Sequence, residues 1–393
     1  CGSSTVPESE ANTDELSAAP EPAAVDAAIP QTHAAEDKES VPKRPKIRPD
    51  WLRVYPFEIA AWVGLVVTVV FLRSHGLRID WLTVEYTIFP LLPVMGKSFL
   101  TGVICYTVYT AVRGRSPLDY FRQIANPGWF LLTARLWTAI IIFTYSYVWL
   151  KVCVPLVNPR LWDETLWYLD ILLHGGISPS LFFADLLNSA GLARGVDVWY
   201  IWWLPSVSYG IAFVCAFPSN KLRRRFVLSC VLIWTLGPWL YTAIPVLGPI
   251  YVYDDAFAET IQEMPHADGA QHLLAENYQK VISGRDQGTL KQFNPTRGIA
   301  AMPSLHVGVH WLLMLWIRRY ARPLFIPALL GVLLTFVGSI ATGWHYAVDG
   351  YVGIAIAQGV YWLSLRWERP PSQEGPDATE GLERQETPQP QSS

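Results

Sequence analysis

WFLLTARLWTAIIIFTYSYVWL, residues 129–150, decides the fold class. Its 22 residues carry one charged side chain, Arg135. A helix needs about 20 apolar residues to cross a hydrocarbon core about 30 Å thick. Arg135 lies six residues into the stretch, close enough to one surface for its stem to stay in the apolar layer while its guanidinium reaches water. Seven further apolar stretches flank it, at roughly 56–72, 88–112, 199–217, 226–247, 303–317, 323–342 and 346–365. The first and sixth are short. Lys97 interrupts the second, where the interfacial part IFPLLPVMG ends. The expected fold is all-α, a polytopic membrane helix bundle of about eight transmembrane helices.

Composition agrees. Charged residues make up 16% of the 393-residue chain, against roughly 25% in soluble proteins. Many of the 18 tryptophans stand near the ends of apolar runs, among them Trp51, Trp62, Trp129, Trp199, Trp202, Trp203, Trp362 and Trp367. Amphipathic rings collect at membrane interfaces in this way. A net charge of −3 gives no basic field, so nucleic acid is not an expected partner. Cys105, Cys153, Cys215 and Cys230 sit in or beside apolar runs without metal-type spacing and read as small buried hydrophobes. Residues 1–42 and 370–393 are rich in Ala, Pro, Glu and Ser, lack an apolar pattern, and are expected to be disordered.

Short basic connections orient a bundle, because Lys and Arg are retained on the cytoplasmic side. One set of alternate connections holds 17 Lys and Arg residues: the stretch 43–53, then Arg113, Arg115 and Arg122, then Lys221 and Arg223–Arg225, then Arg318, Arg319 and Arg322, then Arg366 and Arg369. The other set holds 9, mostly in two long segments. Both termini are then cytoplasmic, and 151–198 and 248–302 are external. Cys1, followed by Gly2 and Ser3, has the form of an acylated lipoprotein cysteine, but acylation occurs outside and this orientation weighs against it. Within 160–190 an amphipathic pattern broken by Gly175, Gly176 and Pro179 reads as an interfacial or re-entrant element.

Two stretches carry candidate chemistry. In KQFNPTRGIAAMPSLHVGVHW (291–311), Pro303 and Ser304 open a helix, so His306 stands in its first turn, where free N–H groups and the helix dipole favour an anion. In GSIATGWHYAVDGYVG (338–353), His345 and Asp349 are four apart on one helical face. A carboxylate there can fix the imidazole tautomer and leave the other nitrogen free to attack. Each feature also has an ordinary explanation, an interfacial histidine or a local polar pair. Topology joins them, because both histidines begin spans at the same face. His310 shares a face with His306 and reads as packing. Asp254, Asp255 and His266 read as solvated loop residues.

PSLHVG followed some forty residues later by GWHYAVDGYVG resembles the type 2 phosphatidic acid phosphatase superfamily. TLGPWLYTAIPVLGPIY (235–251) and LDILLHGGISPS (169–180) are similar to stretches of its inositol phosphorylceramide synthase branch. The resemblance covers roughly 160–365 and implies that six of the helices form the family core. It implies a tail over 1–42, N-terminal membrane helices over 43–150, a catalytic membrane domain over 151–369 with external loop 248–302, and a tail over 370–393. His345 would be the nucleophile of a phosphohistidine intermediate, Asp349 its orienting partner, and His306 the acid and then the base. No metal and no cofactor are implied. Substrates would be a lipid phosphate or phospholipid, and the acceptor a lipid alcohol or water.

Phosphatases of that superfamily carry an earlier Lys and Arg-Pro signature, and an Arg seven residues before the nucleophile. The first string is absent and Gly338 stands at the second position, between Val337 and Ser339. Loss of that Arg is tolerated in the transferase branch and favours transfer. Lys291, Arg297 and Ser304 are the expected phosphate-binding replacements. A transporter would show repeat symmetry and mid-membrane polar groups, whereas here the polar groups gather at one interface.

Overall fold

A computed structural model of the chain describes residues 53–79, 87–203, 206–286 and 293–367. The expected disordered tails and Cys1 lie outside the described residues, as does Lys291. The helices are α1 (Pro56–Ser74), α2 (Leu91–Val112), α3 (Pro117–Ile124), α4 (Pro127–Val157), α5 (Asp163–Leu173), α6 (Pro179–Ser189), α7 (Ala193–Trp203), α8 (Ser206–Val214), α9 (Asn220–Ala243), α10 (Ala258–Gln262), α11 (Pro265–Asp286), α12 (Leu305–Tyr320), α13 (Phe325–Ala341) and α14 (Ala347–Trp367). Their starts follow from local chemistry. Proline, whose fixed φ suits the first turn, opens α1, α3, α4 and α6. Asn126, Ser219 and Ser304 cap α4, α9 and α12 by accepting from backbone N–H groups.

Among the described residues, five segments are long and apolar enough to cross a membrane: Pro56–Ser74, Leu91–Val112, Pro127–Val157, Asn220–Ala243 and Arg322–Ala341. The protein is an all-α polytopic membrane protein. Helix runs through each of the eight apolar stretches read from the sequence, with one correction. The expected span 199–217 holds α7 and α8, which flank residues 204 and 205, outside the described residues. The span expected to end at residue 150 continues as α4 to Val157, because one lysine does not halt a helix whose neighbours remain apolar. Lys151 is therefore a helical residue rather than the start of a loop. The expected element at 160–190 is the helix pair α5 and α6, turned at Gly175 and Gly176, both with positive φ.

Arg135 departs from expectation as well. It does not simply reach for water. Its Nε donates to Glu58 Oε1 of α1 at 2.6 Å, and its Nη2 donates to the carbonyl of Arg53 at 2.5 Å. An opposite charge on the adjacent helix removes much of the cost of an ionised group in an apolar layer. Tyr55 takes Arg135 and Arg224 on its ring, at 4.8 and 5.0 Å. The basic ends of α1, α4 and α9 are thus packed together.

At the other end, α12 and α14 cross with almost no separation. A Cβ at Gly353 would lie 2.3 Å from the Ser304 carbonyl oxygen, and one at Gly308 2.8 Å from that of Gly353. Small residues let membrane helices approach to backbone contact. The Ser304 N–H donates to the Asp349 carbonyl at 2.9 Å, locking the two helix starts side by side.

Candidate active site

His345 precedes α14 in a turn that neighbouring segments build. Gly343 has φ +71°, and a Cβ there would meet Ile250. Gly248 has φ +112°, and its Cβ would lie 2.5 Å from the Trp344 carbonyl oxygen. Ile250 N–H donates to the Gly343 carbonyl at 2.9 Å. Two buried carboxylates of α5 hold this arrangement from outside. Asp170 accepts from the N–H groups of Ala347 and Val348 at 2.7 and 2.9 Å, so it caps α14 although it belongs to another helix. Asp163 accepts from Gly248 N–H at 2.9 Å, and from Leu247 N–H and the Tyr346 hydroxyl at 3.1 Å each. Burial raises both carboxyls above the usual range, and the backbone N–H groups pull them back.

The turn and the close helix crossing bring together residues 39 positions apart. His306 Nδ1 lies 3.1 Å from His345 Nε2. The Tyr200 hydroxyl of α7, fully buried, lies 2.9 Å from the same His306 nitrogen. On the far side of its ring, His345 Nδ1 is 3.4 Å from Asp349 Oδ2, which also accepts from Tyr346 N–H at 2.9 Å. Thus His345 presents Nε2 toward His306 and keeps Nδ1 against a buried carboxylate.

Both histidines line a cavity of about 390 Å³. Its cationic side chains are Lys151 and Arg297, and no carboxylate is among the residues that line it. Lys151 rests its ammonium 5.7 Å from the ring centres of Tyr147 and Tyr241, and it makes no ion pair among the described residues. Arg297 is placed by Asn277, a buried residue of α11. Asn277 Nδ2 donates to the carbonyls of Arg297 and Asn294 at 2.9 and 3.0 Å. The next residue, Gly298, presses onto α4, where a Cβ would lie 2.9 Å from Val152 N. The two cations therefore reach one cavity from opposite ends of the chain's middle. A pocket lined by two cations and no anion is suited to a negatively charged ligand.

Of the other expected site residues, Ser304 is buried as the α12 cap and does not line the cavity. His310 is buried one turn below, its Nδ1 2.5 Å from the His306 carbonyl oxygen. His266 donates to Asp197 at the start of α11, and Asp254 and Asp255 are exposed. Sequence reasoning missed Lys151, Tyr200 and Asp163. Among the described residues no group of three or more His, Cys, Asp or Glu side chains stands close enough to hold a metal ion.

Comparison with known proteins adds one finding: a family model described as the PAP2 superfamily matches residues 164–363. No curated protein and no solved structure matches the chain.

Proposed function

The chain belongs to the PAP2 superfamily, whose model spans just over half of it, and on that premise we propose that it transfers a phospho-headgroup, of the inositol-phosphate type, between lipids. Membership makes it a phosphatase-type phosphotransferase or phosphatase acting on lipid phosphates in a membrane. One observation carries the finer reading. A histidine nitrogen backed by a buried carboxylate faces a second histidine at the wall of a cavity whose cations are Lys151 and Arg297.

His345 Nε2 attacks phosphorus, and the bond from phosphorus to the leaving lipid oxygen breaks. His306 gives that oxygen a proton. Asp349 stabilises the positive imidazole of the phosphohistidine through Nδ1. An acceptor hydroxyl then gives its proton to His306 as its oxygen attacks phosphorus, and the P–N bond breaks. Lys151 and Arg297 meet the charge on the phosphoryl oxygens throughout. Transfer is preferred to hydrolysis because the signature Lys, Arg-Pro and upstream Arg of the phosphatases are absent, as in the inositol phosphorylceramide synthase branch that the motifs resemble. On this reading the protein lies in a plasma membrane of bacterial type, and the charge pattern supports cytoplasmic termini and an external histidine site.

The test is incubation of the purified protein with labelled lipid phosphates and with phosphatidylinositol, each with and without ceramide or diacylglycerol. A new headgroup-bearing lipid that forms only with an acceptor is the expected product. Release of inorganic phosphate or free inositol phosphate, unaffected by acceptor, would make the enzyme a hydrolase.

A further inference from the structure

Helix α11 supplies part of the wall of the histidine cavity. Its two faces differ sharply. His272, Glu276 and Lys280 point away from the protein, with local ion pairs Asp268–His272 at 3.1 Å and Glu276–Lys280 at 2.6 Å. Charges paired along one face mark the side that meets water. The opposite face carries Ala267, Ala270, Leu274 and Val281 at helical spacing, and Ala270, Leu273 and Leu274 are part of the cavity wall.

This roof is fastened at three places. Buried Asp197 of α7 accepts from the N–H groups of His266 and Ala267, at 3.1 and 2.8 Å, and from His266 Nδ1 at 2.8 Å. Gln271, buried, donates to the Thr342 carbonyl at 2.7 Å, in the turn that leads to His345. Asn277 holds the Arg297 loop. The buried side chains of Gln271 and Asn277 tie α11 to the segments bearing the nucleophile and a cation. An apolar wall fixed to the reacting groups keeps bulk water away from a reactive intermediate.

We infer that the Ala270–Leu273–Leu274 face of α11 sets acceptor choice, admitting a lipid alcohol from the bilayer and withholding water from the phosphohistidine. The inference rests on the transfer reading and concerns only the second half-reaction. There either an alcohol oxygen or a water oxygen takes phosphorus from His345 Nε2, with the proton passing to His306 in both cases. Roof residues act on the ratio of these outcomes, not on formation of the intermediate.

The experiment uses the full chain in liposomes with ³²P-phosphatidylinositol and ceramide. Label in a new lipid is separated from label in water-soluble inositol phosphate. Leu274→Asn places an amide on the cavity face, Leu273→Asn does so at its more exposed end, and Gln271→Leu cuts the tether to the His345 turn. His272→Ala, on the water face, is the control. The expected result is a rise in the water-soluble to lipid ratio on the order of fivefold in the roof variants, with no change in the control. An unchanged ratio in every folded roof variant, with the wild type still making lipid product, overturns the inference alone. A wild type that yields only water-soluble label overturns the transfer reading instead.

Discussion

An ammonium in an apolar helix needs a reason, and Lys151 has two aromatic rings beside it but no carboxylate. In the proposed reaction a phosphate is its partner. Lys151→Met keeps the apolar stem and should lower kcat/KM for a labelled lipid phosphate on the order of 10²-fold, with thermal unfolding unchanged, as expected for loss of one preorganised charge contact. His345→Ala should abolish turnover, and retained phosphate release or lipid transfer by that variant would remove the nucleophile assignment. The histidines and Asp349 were legible in the sequence because Pro-Ser marks a helix start and an ionisable pair four residues apart opens an apolar span, although His345 reaches Asp349 from the turn before α14 and not across one helical face. Lys151 was not, since hydropathy closed the span at Leu150 and left the lysine in an apparent loop. Tyr200 sits in the run VWYIWW, where nothing distinguishes a tyrosine that reaches a histidine from one that lines the bilayer interface. Arg297 was legible as a nearby cation, but its placement depends on Asn277, twenty residues earlier.

The element that orders the site is the short helix α5. Asp170 satisfies the first N–H groups of α14, and Asp163 the turn at Gly248. Asp170→Leu would leave those N–H groups buried without partners, at a cost of about 1–3 kcal/mol. The measurable result is a lower unfolding temperature in detergent together with reduced turnover, because the same helix start carries Asp349. The crossing of α12 and α14 is equally intolerant. Gly353→Ala puts a methyl group against the Ser304 carbonyl and should separate His306 from His345. Loss of activity with the protein still inserted in the membrane is the expected outcome, and full activity would show that the contact has room to relax. The eight apolar stretches were legible because span length is a property of composition. The pairing of Arg135 with Glu58 was not, because it depends on which helices become neighbours.

For the whole molecule, charge bias and the amphipathic α11 make matching demands: the roof faces the water on the side opposite the basic connections. With native cysteines replaced by alanine, His272→Cys should react with a membrane-impermeant thiol reagent applied to intact cells, and Arg115→Cys should not. The reverse pattern would invert the orientation. Turnover should also persist in EDTA, since the proposed mechanism uses only side chains of the protein; complete loss on chelation would point to a metal enzyme. The length of α4 has a last consequence. The family resemblance begins after this helix has ended, yet α4 carries a cation of the phosphate cavity. The matched region and the set of residues that line the cavity therefore have different borders. A fragment cut at the start of the matched region would retain both histidines and Asp349 and lack the charge their substrate needs, so transplanting this activity means transplanting α4 with it.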